Sequence, residues 1–403
     1  MDEYNALTST LYAFYTFDRW SYQQVYKPKS IKYKSLSSDE QNLLDFYPQL
    51  LSNLEQCLGI NDSFTKQLAL TAAEDWGVTA SPDQWTKCTP QDHDKVRSTL
   101  LQLSREWSSD GEVERETTYN KIIEAVQKRI KNGKVLVPGC GLGRLVFEFV
   151  RKGYWTQGNE VSYHMLLASG YVLNRMPMAH SHTVFPYIFK SSHVSRRLFQ
   201  VRPVSVPDET PTSIYENPDA ADLMSMAAGS FVDLYGPRDL AVSEAYTEDA
   251  AASDFRVENE GAFDVVATCF FLDTAHNVLD YIKTIHHCLR DGGYWVNMGP
   301  TLWHYEGDSG AIEVEKDGKK AHSIMEGMEL TRDELIGLVK RMGFEIEEQD
   351  VVQTTYCGDP KALGNFVYDA EFWVAKKRPL TKAATEDAEP TANKDSSGNE
   401  PKK

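Results

Sequence analysis

Long apolar runs are missing from this chain, and with them any segment near the length that could cross a bilayer as a helix. The N-terminus MDEYNALTST also lacks the charged-then-apolar layout of a secretory leader, so a cytoplasmic or nuclear protein is expected, with no membrane partner. Cysteines are few. The six of them are scattered without a C-x-x-C pair, which predicts reduced thiols and no metal site. Positive charge is scarce as well: 42 Lys and Arg stand against 59 Asp and Glu, a net charge of -17 that opposes a phosphate backbone and argues against nucleic acid. A small or cationic substrate fits better. What the chain has in quantity is core-forming material, with 41% hydrophobic and 11% aromatic residues over 403 positions.

The first 130 residues carry apolar side chains at three-to-four spacing and read as a helical N-terminal extension. From Lys134 the pattern changes to short apolar runs alternating with helical stretches, which predicts β-α-β units and a largely parallel sheet over 131–378. Strands are expected at 134–138, 155–160, 263–271 and 294–299, with two closing strands after the helix TRDELIGLVKRMGF. A segment at about 177–261, rich in Pro, Ser and Asp, reads as a mostly irregular insertion, and the polar tail 379–403 as disordered.

The string KVLVPGCGLGRL sets Gly139, Gly141 and Gly143 where a strand gives way to a helix. Glycine there lets backbone approach a ligand closely, and the helix start offers free N–H groups. The spacing is G-x-G-x-G, the form common in methyltransferases that bind S-adenosylmethionine, whereas dinucleotide folds use G-x-G-x-x-G. At the end of the next strand Glu160 is placed to accept from both ribose hydroxyls; it could instead cap the helix that follows, but strand, glycine turn, helix, strand and terminal acid in register favour a nucleoside-type cofactor site. The string TCFFLDTAHN brings Cys269, Asp273, His276 and Asn277 to the carboxyl edge of the sheet, where such folds bind ligands. Asp273 is either a reacting-site carboxylate or the N-cap of the next helix.

The strings LVPGCGLGRL, QGNEVSYHMLLASGYVLNR, ATCFFLDTAHNVLDYI and NMGPTLWHYE closely resemble the carnosine N-methyltransferase family, over about Gln102 to Lys377. The resemblance implies an α/β chain with a Rossmann-like class I methyltransferase sheet, and a helical extension that closes over the cofactor. It implies methyl transfer from S-adenosylmethionine to the imidazole nitrogen nearer the side-chain stem (Nπ) of carnosine and related histidine-containing peptides, giving anserine. A homodimer is implied too.

Cofactor contacts carried over by resemblance are Gln102, Arg105, Gly139, Gly141, Glu160 and Cys269. The family's adenine-bracketing pair of an acid followed by Phe falls on Ser230 and Phe231, so the ring is kept and the acid is not. Substrate contacts would be Asp273, His304 and Tyr368, the three expected to carry catalysis, while Phe366 replaces a family tyrosine and drops its hydroxyl. Other readings of the same residues are a methyltransferase acting on histidine within proteins, a binding protein without turnover, and a hydride-transferring dehydrogenase.

Overall fold

Apolar runs short enough for strands and buried on both faces are what a parallel sheet covered by helices requires, and β1 (Lys134–Pro138) is buried at every position after Lys134. The structure is a computed structural model. It describes residues 3–378 apart from 217–219, 221, 242, 244–245, 247–248, 308–312, 317–318 and 323–326. The tail 379–403, expected to be disordered, lies outside the described residues.

The helix Arg144–Arg151 joins β1 to its parallel neighbour β2 (Trp155–Glu160). A helix, Tyr163–Arg175, then leads to an antiparallel hairpin of β3 (His182–Val184) and β4 (Val204–Val206), and the chain returns to the sheet as β5 (Met224–Ala228), parallel to β2. It then crosses to the other side of β1, where β6 (Phe263–Cys269), the helix Val278–Cys288 and β7 (Leu289–Gly299) continue the parallel run. A small hairpin, β8 (Glu313–Lys316) with β9 (Lys319–His322), precedes the helix Arg332–Arg341. Last come β10 (Phe344–Thr354) and β11 (Tyr368–Lys377), and β11 runs antiparallel to both of its neighbours. The sheet order is β10-β11-β7-β6-β1-β2-β5, and its direction of travel reverses between β1 and β6. A ligand crevice belongs at that reversal.

The insertion expected to be mostly irregular proves to supply an edge strand. The sequence of β5, MSMAA, is only part-buried and shows no apolar alternation, so pairing with β2 decides its conformation. The strand expected over 263–271 stops at Cys269, because Phe270 turns to a left-handed φ of 53°.

Residues 3–127 are mostly helical, with Tyr47–Asp75 and Pro90–Trp107 separated by the non-helical stretch 76–89. The second opens on a capping box of Thr89 and Asp92 with Pro90 in its first turn. Its buried face, Val96, Leu100, Leu103 and Trp107, belongs to one core with Leu142, Phe147 and Leu167 of the sheet domain. Trp107 is wholly buried and donates its indole N–H to the Leu142 carbonyl at 3.1 Å. Trp107→Ala is expected to lower unfolding stability by about 3–5 kcal/mol, read from denaturant midpoints. A loss below about 1 kcal/mol would mean that this seam relaxes around the void.

Candidate active site

Three left-handed glycines shape the turn after β1: φ is 63° at Gly139, 57° at Gly141 and 81° at Gly143. A Cβ on Gly139 would lie 2.4 Å from the Phe271 ring, and one on Gly141 would lie 2.7 Å from the Glu106 carboxylate, so neither position admits a side chain. Two carboxylates take the amides of the turn. Glu160 accepts from Gly141 N at 3.0 Å with one oxygen and from Val161 N and Ser162 N at 2.8 and 2.9 Å with the other. Glu106 accepts from Leu142 N at 3.2 Å and from Arg144 N at 3.1 Å. Burial pushes the Glu160 carboxyl up, its three N–H donors work against that, and the nearby Glu106 adds to the rise.

Above this turn lies a cavity of about 620 Å³, within the range of small-molecule sites. The structure brings Gln102, Arg105, Gly139, Gly141, Glu160 and Cys269 to its wall, with Ser230, Phe231 and His304. Gln102 donates to Glu106 at 2.6 Å and accepts from the Cys357 thiol at 3.1 Å. Arg105 is buried, donates to the Tyr119 hydroxyl at 2.8 Å, and sits 4.6 Å from the Tyr356 ring centre. Its Nε is ion-paired with Glu114 at 3.3 Å but makes no hydrogen bond, so one buried guanidinium N–H is left unsatisfied. Burial pushes the Cys269 thiol up to about 11, against the pull of Arg105. Ser230 caps the helix Phe231–Tyr235 by accepting from Asp233 N at 3.3 Å, while Asp233 holds Ser243. Phe231 meets Phe271 and Tyr281 edge-on at 5.4 and 5.7 Å.

Asp273, Tyr368 and Phe366 do not lie on that wall. Asp273 is in a short turn, Leu272–Thr274, and is only 4% exposed. The capping alternative for it is overturned, because the helix Val278–Cys288 is capped by Asn277, whose side chain accepts from Leu279 N at 3.0 Å. Burial pushes the Asp273 carboxyl up to about 7, opposed by the backbone N–H groups of Asp273 and Leu302. The backbone ties it to the mouth: His304 N donates to Asp273 O at 3.0 Å. Burial and the charge of Asp273 together raise the Tyr368 phenol, which places that tyrosine within electrostatic reach of the carboxyl. Phe366 is 68% exposed, its ring 4.7 Å from that of Tyr368.

Residues not singled out by sequence complete the geometry. Phe270, held left-handed with its N–H on the Met298 carbonyl at 2.8 Å, packs on Tyr356 at 4.8 Å and on Tyr368 at 5.6 Å. It bridges the cavity and the Asp273 group. Strained non-glycine backbone at a strand end is common at ligand sites, but nothing in the letters FFLDT signals it. Glu106 was adjacent to a residue already chosen, and its role depends on a turn 36 residues away. Tyr305 was likewise not chosen; it stacks at 3.9 Å on His276, which the sequence did place at the sheet edge, with its hydroxyl 2.7 Å from the His276 Nε2, and both lie on the wall.

A glycine turn and a strand-end carboxylate under a parallel sheet closed by antiparallel β11 define an S-adenosylmethionine-dependent methyltransferase with a Rossmann-like sheet. The buried guanidinium and the glycine cradle fit that cofactor's carboxylate and nucleoside. The carnosine N-methyltransferase family matches residues 82–379, and the chain belongs to it. Carnosine N-methyltransferase of Schizosaccharomyces pombe is 33% identical over 93% of this chain and 96% of its own length. The Mus musculus protein of the same name is 32% identical over 86% of this chain and 80% of its own. A Methanosarcina mazei S-adenosylmethionine-dependent methyltransferase structure aligns with a TM-score of 0.35 at 15% identity, over 63% of this chain and 97% of that one.

Glu160→Ala is expected to weaken S-adenosylmethionine binding by about 1–3 kcal/mol, measured by calorimetry on protein whose circular dichroism is unchanged. Unaltered affinity would take Glu160 out of the site.

Proposed function

We propose that this enzyme methylates the Nπ imidazole nitrogen of carnosine and related histidine-containing peptides, giving anserine from carnosine. The observation that carries the reading is the Asp273 carboxyl, buried at the end of β6, used by no helix cap, and raised to about 7. A carboxyl kept in such a place at a cost in solvation is a functional candidate. The helices before β1 are read as the part that closes over the cofactor.

In this reading Arg105 and Gln102 hold the methionine end, Gly139 and Gly141 let the nucleoside approach, and Glu160 holds the ribose. Three N–H groups already occupy Glu160. A carboxylate has about four acceptor sites, so one would remain for a ribose hydroxyl. Phe231 flanks the adenine, with Ser230 in place of the acid, and Cys269 lies beneath. Bound, the cofactor supplies an electrophilic methyl on a sulfonium.

A neutral imidazole attacks only through its lone-pair nitrogen. Asp273 accepts the N–H of the distal nitrogen, which fixes the tautomer and turns Nπ toward the methyl. Transfer would form the Nπ–CH3 bond as the S–CH3 bond of the sulfonium breaks and leaves a neutral thioether, so positive charge would pass to the ring, where the carboxylate would stabilise it. The ring then loses its distal proton to Asp273, whose carboxyl is poised near neutrality. His304 and Tyr368 would hold the ring and the peptide facing the methyl that the cofactor supplies, while Phe366 would contribute contact without a hydroxyl. Six free thiols support a reducing compartment such as the cytosol or nucleus. A homodimer is proposed on the family resemblance alone.

The direct test incubates the protein with labelled S-adenosylmethionine and a panel of histidyl dipeptides, and locates the methyl by NMR; label on carbon, oxygen or the distal nitrogen would end the reading. Asp273→Asn is expected to keep cofactor binding and lose at least about a hundredfold in turnover. Because the carboxyl is raised, its ionised form costs stability as pH rises above the ordinary aspartate range, fully above about 7. The variant should therefore melt no lower than wild type at pH 8. At limiting carnosine, activity should rise through neutrality with an acid limb steeper than one ionisation, since Asp273 and the substrate imidazole must both be deprotonated. In Asp273→Asn the limb should fall to a single ionisation, and an unchanged limb would exclude Asp273 from it.

A further inference from the structure

A glycine turn feeding the N-terminus of a helix is a ready phosphate site, because its amides and its dipole both favour an anion. Here the chain has put an anion of its own in that place. The helix Arg144–Arg151 follows the turn, and the N–H groups of Leu142 and Arg144 donate to the two oxygens of Glu106 at 3.2 and 3.1 Å. Gln102 donates to the same carboxylate at 2.6 Å. Every one of these partners is a donor. Glu106 is 1% exposed yet lies on the cavity wall, and Gly141 is pressed so close that a Cβ would come within 2.7 Å of its oxygen.

We propose that Glu106, delivered by the helical extension, sets the charge preference of the cofactor cavity: it fills the anion position at the glycine turn, so the site admits a phosphate-free, cationic nucleoside and rejects nucleotides carrying a phosphate there. The second carboxylate on the same turn, Glu160, feels it, since the charge of Glu106 adds to the burial that raises Glu160. A phosphate would add further negative charge beside two carboxylates in a site shielded from water, where like charges repel strongly. The Arg144 guanidinium does not cancel them; it is engaged by Glu148 at 2.8 Å, Asp208 at 2.7 Å and the Glu106 carbonyl at 2.9 Å. Arg105 is paired with Glu114 and Tyr119, and in the proposed reading its remaining N–H serves the cofactor's carboxylate rather than the glycine turn. A sulfonium gains from the same pair of carboxylates and its neutral thioether product does not, so the charge that attracts the cofactor also favours release of S-adenosylhomocysteine.

The inference rests on S-adenosylmethionine as occupant of this cavity, and its test reads affinities alone, so failure to methylate carnosine leaves it standing. Calorimetry at fixed ionic strength compares S-adenosylmethionine, S-adenosylhomocysteine and ADP on wild type and on Glu106→Gln, which keeps shape and removes charge. The expected result is that the variant loses about tenfold of the preference for the sulfonium over the thioether, the size of one modest charge contact, and gains measurable ADP binding. Glu106→Asp, with charge kept and reach shortened, should hold the wild-type preference even where overall affinity falls. If Glu106→Gln does not fold, the wild type itself decides, through its affinity for sinefungin, which carries an ammonium in place of the sulfonium, against S-adenosylhomocysteine. An unchanged preference in Glu106→Gln, or no preference for sinefungin in the wild type, would overturn the proposal and leave Glu106 a shaping residue of the turn.

Discussion

Everything in this structure hangs from the end of one helix, where three successive residues of Pro90–Trp107 take hold of the sheet domain in three directions. Helical residues are set about 100° apart around the axis, so neighbours in sequence face different surroundings. Arg105 turns to the cavity, Glu106 to the amides of the glycine turn, and Trp107 into the core beneath Leu142. The Arg144 guanidinium closes the seam from the other side by donating to the Glu106 carbonyl and to Asp208. These groups are buried, so losing one partner would strand another without water to replace it.

That seam explains why a methyltransferase sheet needs the helices before it. The turn after β1 presents N–H groups that would otherwise face an open crevice, and the extension covers them with a carboxylate while lending Arg105 to the cavity. In the proposed reading, the hydrogen bonds that dock the extension are also those that shape the cofactor cavity.

The methyl-transfer chemistry asks little of the protein beyond placement and charge. One aromatic ring, Phe270, connects the two halves of the problem, since it touches Tyr356 beside Arg105 and Tyr368 beside Asp273. Its left-handed backbone is what ends β6 and lets Asp273 drop into a buried turn instead of continuing the strand. Burial there raises the carboxyl to about 7, which would suit the role proposed for it, accepting an N–H before transfer and a proton after it.

Features that depend on neighbouring residues alone were readable from the chain. The G-x-G-x-G turn announces itself because glycine takes those backbone angles without strain, and β1 announces itself because a strand buried on both faces must be an apolar run; β2, WTQGNE, is largely polar though buried, and is readable only by its place between two helical stretches. Glu160 followed from its place at a strand end. Other features needed the third dimension. β5 carries no apolar pattern and exists by pairing with β2; Asn277 rather than Asp273 caps the helix because the Leu272–Thr274 turn intervenes; Glu106 becomes a ligand of the turn only when the extension packs down. The first and last of these are fixed by contacts between segments distant in sequence, and the free energy of such a contact is not a property of either segment alone; the cap is local, but which residue takes it depends on where the chain leaves β6.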